Sequence, residues 1–326
     1  MDDRLKTILL TFGILALVMG LSVGYTGRDM MPLVTGAQAV YEGKNPYSAD
    51  VQALIKARYD APGVGRCPRC AEIGLAYPPS ALLLALPVAW LPLAAAELLL
   101  LTAGAVVLAG ALTLLRFPWW ILLFVPILHT THSNNPSLII TGGLLMLVWM
   151  VRARHWWPAA FLAAYLLPIK PQVTAIPVLV AGLHLLAARQ WGPVLVAGGV
   201  LAAFVGLTLG AWLDWLGVVL QYRDVVSSEN TWMWWLIAPG VLLLVRRRWW
   251  SGATVMQMGL LPINIISPYS LLPLLLAYTE SNERGQQLSI GGSWYYRIGE
   301  VIPGGAALTA TLMVVGPLVW GALREE

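Results

Sequence analysis

The chain has 326 residues, of which 58% are hydrophobic and only 11% charged, whereas soluble domains carry about 25% charged residues. That balance excludes an ordinary soluble domain and predicts an all-α, polytopic transmembrane bundle, a single integral-membrane domain over 1–326. The formal net charge of +4 comes from Lys and Arg scattered between apolar runs, so it gives no sign of a nucleic-acid surface.

The first apolar run, 8–26, is about long enough for one crossing at roughly 20 residues per span. Arg4 and Lys6 ahead of it put the N-terminus inside. No small-x-small site follows it convincingly, so no cleavable signal is expected. The segment 28–76 is the longest polar stretch and is expected to be an external loop. Within it, Val51, Leu54 and Ile55 recur at helical spacing, which predicts a helix over 49–59 lying on the membrane surface. The run 77–92 is broken by Pro78, Pro79, Pro87 and Pro92 and is expected to enter only partly, leaving 93–115 as the true crossing. Arg116, Arg152, Arg154, Arg189 and Arg246 to Arg248 then all fall inside, as the bias of basic residues to the inner side requires. External turns are expected at 129–137, 167–172 and 214–230. A further crossing at 253–278 would leave 280–300 outside, and 301–323 would return to Arg324 inside. The total is about ten spans, with eleven as the alternative. Sixteen Trp, many at run ends, supply the aromatic belts of the two interfaces.

On this topology Asp29, Glu97, His132, Asn134, Asn135, Lys170, Glu229 and Asn230 gather near the outer face. Several of the intervening runs are only about 12–17 residues, short for a straight crossing. Broken helices are tolerated in a membrane where their backbone lines a protein or water cavity, so a shared outer cavity is expected.

Asp29 sits where the first run meets water. It is a candidate general base, with an ordinary flanking residue as the other reading. Lys170 is a candidate phosphate-holding cation or a loop lysine. Arg28 could steady Asp29, attract an anionic group or anchor the interface. His129 and His132 could touch a phosphate or metal, or close a hydrogen-bonded turn. Glu229 and Asn230 could meet a sugar or cap the next helix, and Tyr41, Tyr47 and Tyr77 could contact substrate or sit as interface aromatics. Cys67 and Cys70 form an isolated C-x2-C in the external loop, better suited to a short disulfide than to half a zinc site. Ser-His-Asp hydrolysis, a phosphate loop and zinc-protease spacing are not evident.

The pattern Asp29-x(11)-Tyr41-x-Gly43-x-Asn45-Pro46-Tyr47, followed by Tyr77-Pro78-Pro79 before a Leu-rich run, resembles the membrane-embedded GT-C glycosyltransferases. It is most similar to the polyprenyl-phosphate-mannose-dependent mannosyltransferases and their relatives. Asn134-Asn135-Pro136-Ser137, Lys170-Pro171 and Ser267-Pro268-Tyr269 extend the likeness, although relatives often carry Gly-Gln where Asn134-Asn135 stand. The resemblance implies an inverting hexosyltransferase, most plausibly for mannose, with its active site outside the plasma membrane. Asp29 would be the base, and Lys170, Arg28 and His132 would hold the donor phosphate. Tyr41, Asn45, Tyr47, Tyr77, Asn134, Asn135, Glu229 and Asn230 would bind substrate. The implied partners are a polyprenyl-phosphate sugar, a lipid or glycan acceptor and membrane lipids, with no cofactor and no metal. A transporter or flippase for a lipid-linked or small anionic substrate is the alternative, since broken helices and intramembrane charges serve transport too.

Overall fold

The computed structural model describes residues 13, 29–60, 74–226, 230–231, 233–260, 263–264, 268–299 and 305–324. The architecture is all-α. Its helices are α1 (Met31–Tyr41), α2 (Ala49–Tyr59), α3 (Pro79–Ala85), α4 (Leu93–Leu114), α5 (Val125–His132), α6 (Ser137–Arg152), α7 (Trp156–Ile169) and α8 (Pro171–Ala187). They continue with α9 (Trp191–Leu207), α10 (Leu209–Val226), α11 (Ile237–Val245), α12 (Trp249–Leu260), α13 (Leu275–Tyr278) and α14 (Glu283–Gly299). Gly305–Thr309, a π-helical segment Ala310–Val315 and Gly316–Leu323 close the chain, and Asn230 and Thr231 pair with Asn264 and Ile263 in a minimal antiparallel β ladder.

Two residue types set these boundaries. Proline opens α1, α3, α5 and α8 in the first turn, where its missing N–H is no loss. Arginine closes α4, α6, α8 and α11. Arg116, Arg154, Arg189 and Arg247 all have φ between 58° and 61°, in the left-handed region usually left to glycine. At each of them the arginine's own amide and the next one turn back onto the helix, as Arg116 N does to Thr113 O and Phe117 N to Leu112 O. These are Schellman closures. A side chain in that conformation costs about 1–2 kcal/mol, and a cation at the negative end of the helix dipole offsets part of it.

α4 and α6 run parallel and close together, because Gly104 faces Leu138 and Ile139 while Gly142 faces Val107 and Leu108. α7 returns beside α6, and α8 descends antiparallel to α12. Ile176 N donates to Gln257 Oε1 at 2.7 Å, and a turn or two on His184 packs against Trp249 and Trp250. α9 and α10 meet at a 76° bend. α1 is no surface element: Met31, Leu33, Val34 and Ala37 are all buried, against α3 and α4. α2 does form over the expected 49–59, with Val51 and Ile55 buried and Leu54 exposed.

One expected crossing is corrected. The run 253–278 is not a single helix: α12 stops at Leu260, and the chain comes back through a 3-10 segment, Pro268–Leu274, into α13. Pro268 and Pro273 prevent a continuous α-helix there. Tyr269 therefore lies with Lys170, whose ammonium is 5.1 Å from its ring centroid. Glu280 lies at the opposite end, where its Oε2 accepts from Ser251 N at 2.8 Å and Arg152 donates to the carbonyl of Thr279 at 3.2 Å. Glu280 thus shares an end with the arginines, against the expectation that 280–300 starts outside. Among the described residues one helix, Leu93–Leu114, is long and apolar enough to cross a membrane, or two if the bent α9–α10 pair counts as one. Helix length thus does not reproduce a count of ten. The remaining apolar helices have 10–17 residues, because proline and the arginine closures cut the runs short.

Candidate functional site

Asp29 immediately precedes α1, and its Oδ2 accepts a hydrogen bond from Asn135 Nδ2 at 2.7 Å. Asn135 is itself fixed, since its Oδ1 accepts from Ser137 N at 2.8 Å, a side-chain turn that opens α6. Ser137 Oγ then accepts from Lys170 Nζ at 2.9 Å. Carboxylate and ammonium are thus joined through two side chains at the N-terminus of α6. Lys170 lies in the break between α7 and α8, outside both helices, with the ring of Tyr269 beneath it and His129 stacked on that ring at 6.4 Å. Burial pushes the Lys170 ammonium down to about 8, with the carboxylate of Asp29 pulling the other way.

A second tier braces Asp29 through its backbone. Tyr77 OH donates to Asp29 O at 3.3 Å, and Tyr47 OH donates to Tyr77 O at 2.8 Å. Burial raises the Tyr47 hydroxyl, and the charge of Asp214 adds to the rise. The motif around Tyr47 has a local cause. Gly43, at φ 74°, closes α1, and Asn45 Oδ1 accepts from Tyr47 N at 3.0 Å. Asn45 Nδ2 then donates to Asp214 Oδ2 at 2.7 Å, and Trp215 Nε1 donates to Ala76 O at 3.0 Å, so α10 lies along this end of the molecule. Behind the site, Arg58 of α2 reaches Thr35 and Gln38 of α1. Burial lowers its pKa, and nearby Glu97 and Glu42 oppose that shift. Glu97 is buried one turn into α4, at 6% exposure.

The structure therefore brings together Asp29, Asn135, Lys170, Tyr77, Tyr47 and Asn45. Asn134 is buried beside them in a left-handed turn, φ 47°, and its Oδ1 has no hydrogen-bond partner among the described residues. His132 ends α5, on the turn that leads into Asn134. Tyr41 stands apart: it is 65% exposed at the far end of α1, roughly 15 Å from the start of that helix at 1.5 Å per residue. Asn230 is described only by its backbone pairing with Asn264. Arg28, Glu229, Cys67 and Cys70 lie outside the described residues. Ser137, Tyr269 and Asp214 also belong to the cluster, none of them a site candidate on sequence grounds. Ser137 and Tyr269 stood in the Asn-Asn-Pro-Ser and Ser-Pro-Tyr motifs, while nothing local marked Asp214. Among the described residues no three His, Cys, Asp or Glu side chains are grouped to hold a metal.

No curated protein and no solved structure matches the chain. The sequence model of glycosyltransferase family 87 matches residues 75–261, more than half of the 326 residues. The matched stretch contains Tyr77, Asn135, Ser137 and Lys170 and stops short of Asp29 on its N-terminal side. The chain belongs to glycosyltransferase family 87, a GT-C-type family of membrane glycosyltransferases.

Proposed function

We propose that the chain moves a hexose such as mannose from a polyprenyl-phosphate carrier to a lipid or glycan acceptor at the outer membrane face. The observation that carries this reading is the chain Asp29–Asn135–Ser137–Lys170, which ties a carboxylate to an ammonium at one helix N-terminus. The acceptor hydroxyl oxygen bonds to the anomeric carbon as the bond from that carbon to the carrier phosphate breaks. The hydroxyl proton passes to Asp29. The bonding electrons stay on the departing polyprenyl phosphate, whose charge is met by Lys170 and by the N-terminal dipole of α6. Attack opposite the leaving group inverts the anomeric centre.

The donor and the orientation rest on different supports. A lipid-phosphate donor needs a cation but no nucleotide-binding domain, and Lys170 supplies a cation linked to Asp29. Charge supports the outward orientation. Arg152, Arg154, Arg189, Arg247 and Arg324 share the end away from Asp29, which the positive-inside bias puts in the cytoplasm. Purified protein incubated with radiolabelled polyprenyl-phosphate sugars and membrane extract tests the reading. Transfer from polyprenyl-phosphate mannose or another hexose is the expected result, and transfer only from a nucleotide sugar would overturn it.

A further inference from the structure

The arginine end holds a cavity that the transfer reaction leaves unused. Its volume is about 420 Å³, and it is lined by Val151, Arg154, Trp156, His184, Ala188 and Gln190. Ligand sites run from about 300 to 1,000 Å³. Its walls are the ends of α6 and α8 with the turns that follow them, each turn closed by an arginine in the left-handed conformation, Arg154 and Arg189.

Two side chains that can donate hydrogen bonds, His184 and Arg154, line this space. The His184 ring is fixed by Trp250, stacked at 5.7 Å, and by the edge of Trp249 at 5.6 Å. Its Nε2 is nevertheless buried without a hydrogen-bond partner among the described residues, a rarity for a polar atom in a native protein. The Arg154 guanidinium has no hydrogen bond or ion pair among the described residues. Arg152, two residues earlier, is engaged elsewhere, donating to Thr279 O and Oγ1 at 3.2 Å. No carboxylate lines the cavity. Glu280, the acid on the adjoining element, is taken up by Ser251 N. A guanidinium and an imidazole around one space, with no acid among the described lining residues, favour an anion with several oxygens, and a guanidinium pairs with phosphate through two parallel hydrogen bonds.

We propose that this cavity binds a phosphate group, presented by the headgroup of an anionic phospholipid. Trp156 in the wall and Trp249 beside it place the cavity at the level where aromatic belts meet headgroups. The site is separate from the Asp29 cluster and stands independently of the donor assigned above.

The test uses the purified full chain in detergent, titrated with short-chain phosphatidylglycerol, short-chain phosphatidylcholine and inorganic phosphate, with binding read by native mass spectrometry and calorimetry. Phosphatidylglycerol should bind at least roughly 10-fold more tightly than phosphatidylcholine. Arg154→Ala and His184→Gln should each weaken it by roughly 10-fold or more, the scale of one charge-assisted hydrogen bond. Lys170→Ala should leave this affinity unchanged, and Arg154→Ala should leave sugar transfer in detergent unchanged. Inorganic phosphate that binds as tightly as the lipid would identify a free anion instead of a headgroup as the source. Equal binding of the two lipids, absence of binding by both anions, or wild-type affinity in Arg154→Ala would overturn the proposal. Arg154 is exposed, so its variant carries the test even if His184→Gln fails to fold.

Discussion

Lys170 answers to two opposing demands. Its neighbours enclose it and lower its pKa to about 8 from the ordinary 10.5, while a phosphate ligand requires the ammonium. The unfolded chain therefore keeps a proton between about pH 8 and 10.5 that the folded chain has released, so this group's contribution to stability rises with pH across that window. Donor affinity should move the other way, greatest below pH 8 and falling as the pH climbs from 7 to 9. Lys170→Ala should weaken donor binding by roughly 10- to 100-fold and slow turnover less, because phosphate charge is present in both the ground state and the transition state. Unchanged donor affinity with lost turnover, measured by equilibrium binding and single-turnover rates, would remove Lys170 from this role. The two ends of the Asp29–Lys170 chain were legible in the sequence as a carboxylate and an ammonium. Their connection was not, because it joins residues 106 and 33 positions apart and depends on how α6 and α7 pack.

At the level of elements, composition and spacing carried α2 to its observed bounds and α4 to within one residue. Proline was visible as the cause of the broken 77–92 segment. The left-handed arginines were not visible, since glycine is the residue whose sequence signal marks that closure. Nor did hydropathy separate one crossing from a there-and-back pass over 253–278, where both halves are apolar. Close helix contact leaves a clearer trace in glycine. A Cβ at Gly240 would come within 2.7 Å of Met256 N, and one at Gly259 within 2.8 Å of Ile237 N, so α11 and α12 meet almost backbone to backbone, as small residues permit in membrane bundles. Gly240→Leu should destabilise the protein by about 1–3 kcal/mol or more through overpacking. Gly199→Ala, with nothing within 4 Å of its added carbon, should leave the melting temperature nearly unchanged or slightly raised. Thermal unfolding in detergent compares the two. Equal melting temperatures would mean that the helices are not in such contact.

The whole molecule is polarised. Asp29, Asn45, Asp214 and Lys170 share one end, while Arg116, Arg152, Arg154, Arg189, Arg247, Glu280, Arg284 and Arg324 share the other. Arg284 and Arg324 meet there over the ring of Trp320, at 5.7 and 4.7 Å from its centroid. Membrane-impermeant thiol labelling of single cysteines, in a chain with Cys67 and Cys70 replaced by Ser, reads this arrangement in whole cells. A cysteine at Glu42 should label from outside, and cysteines at Arg247 and Glu283 only after the membrane is opened. Labelling of the Glu283 position from outside would restore a single crossing over 253–278 and contradict the fold. Labelling of the Arg247 position from outside would reverse the orientation of the site.

The role proposed for Asp29 is to take the proton of the acceptor hydroxyl. Asp29→Asn keeps the size of the side chain and its capacity to pair with Asn135, since an amide oxygen still accepts from Asn135 Nδ2. What is lost is the carboxylate that accepts a proton. Transfer by the purified variant, measured beside donor binding and melting temperature, tests the claim directly. Turnover should fall by roughly 10²–10⁴-fold, the contribution of a positioned acid or base, with donor affinity and melting temperature near wild type. An Asp29→Asn protein that folds, binds donor and transfers sugar at the wild-type rate would remove Asp29 from the role of base.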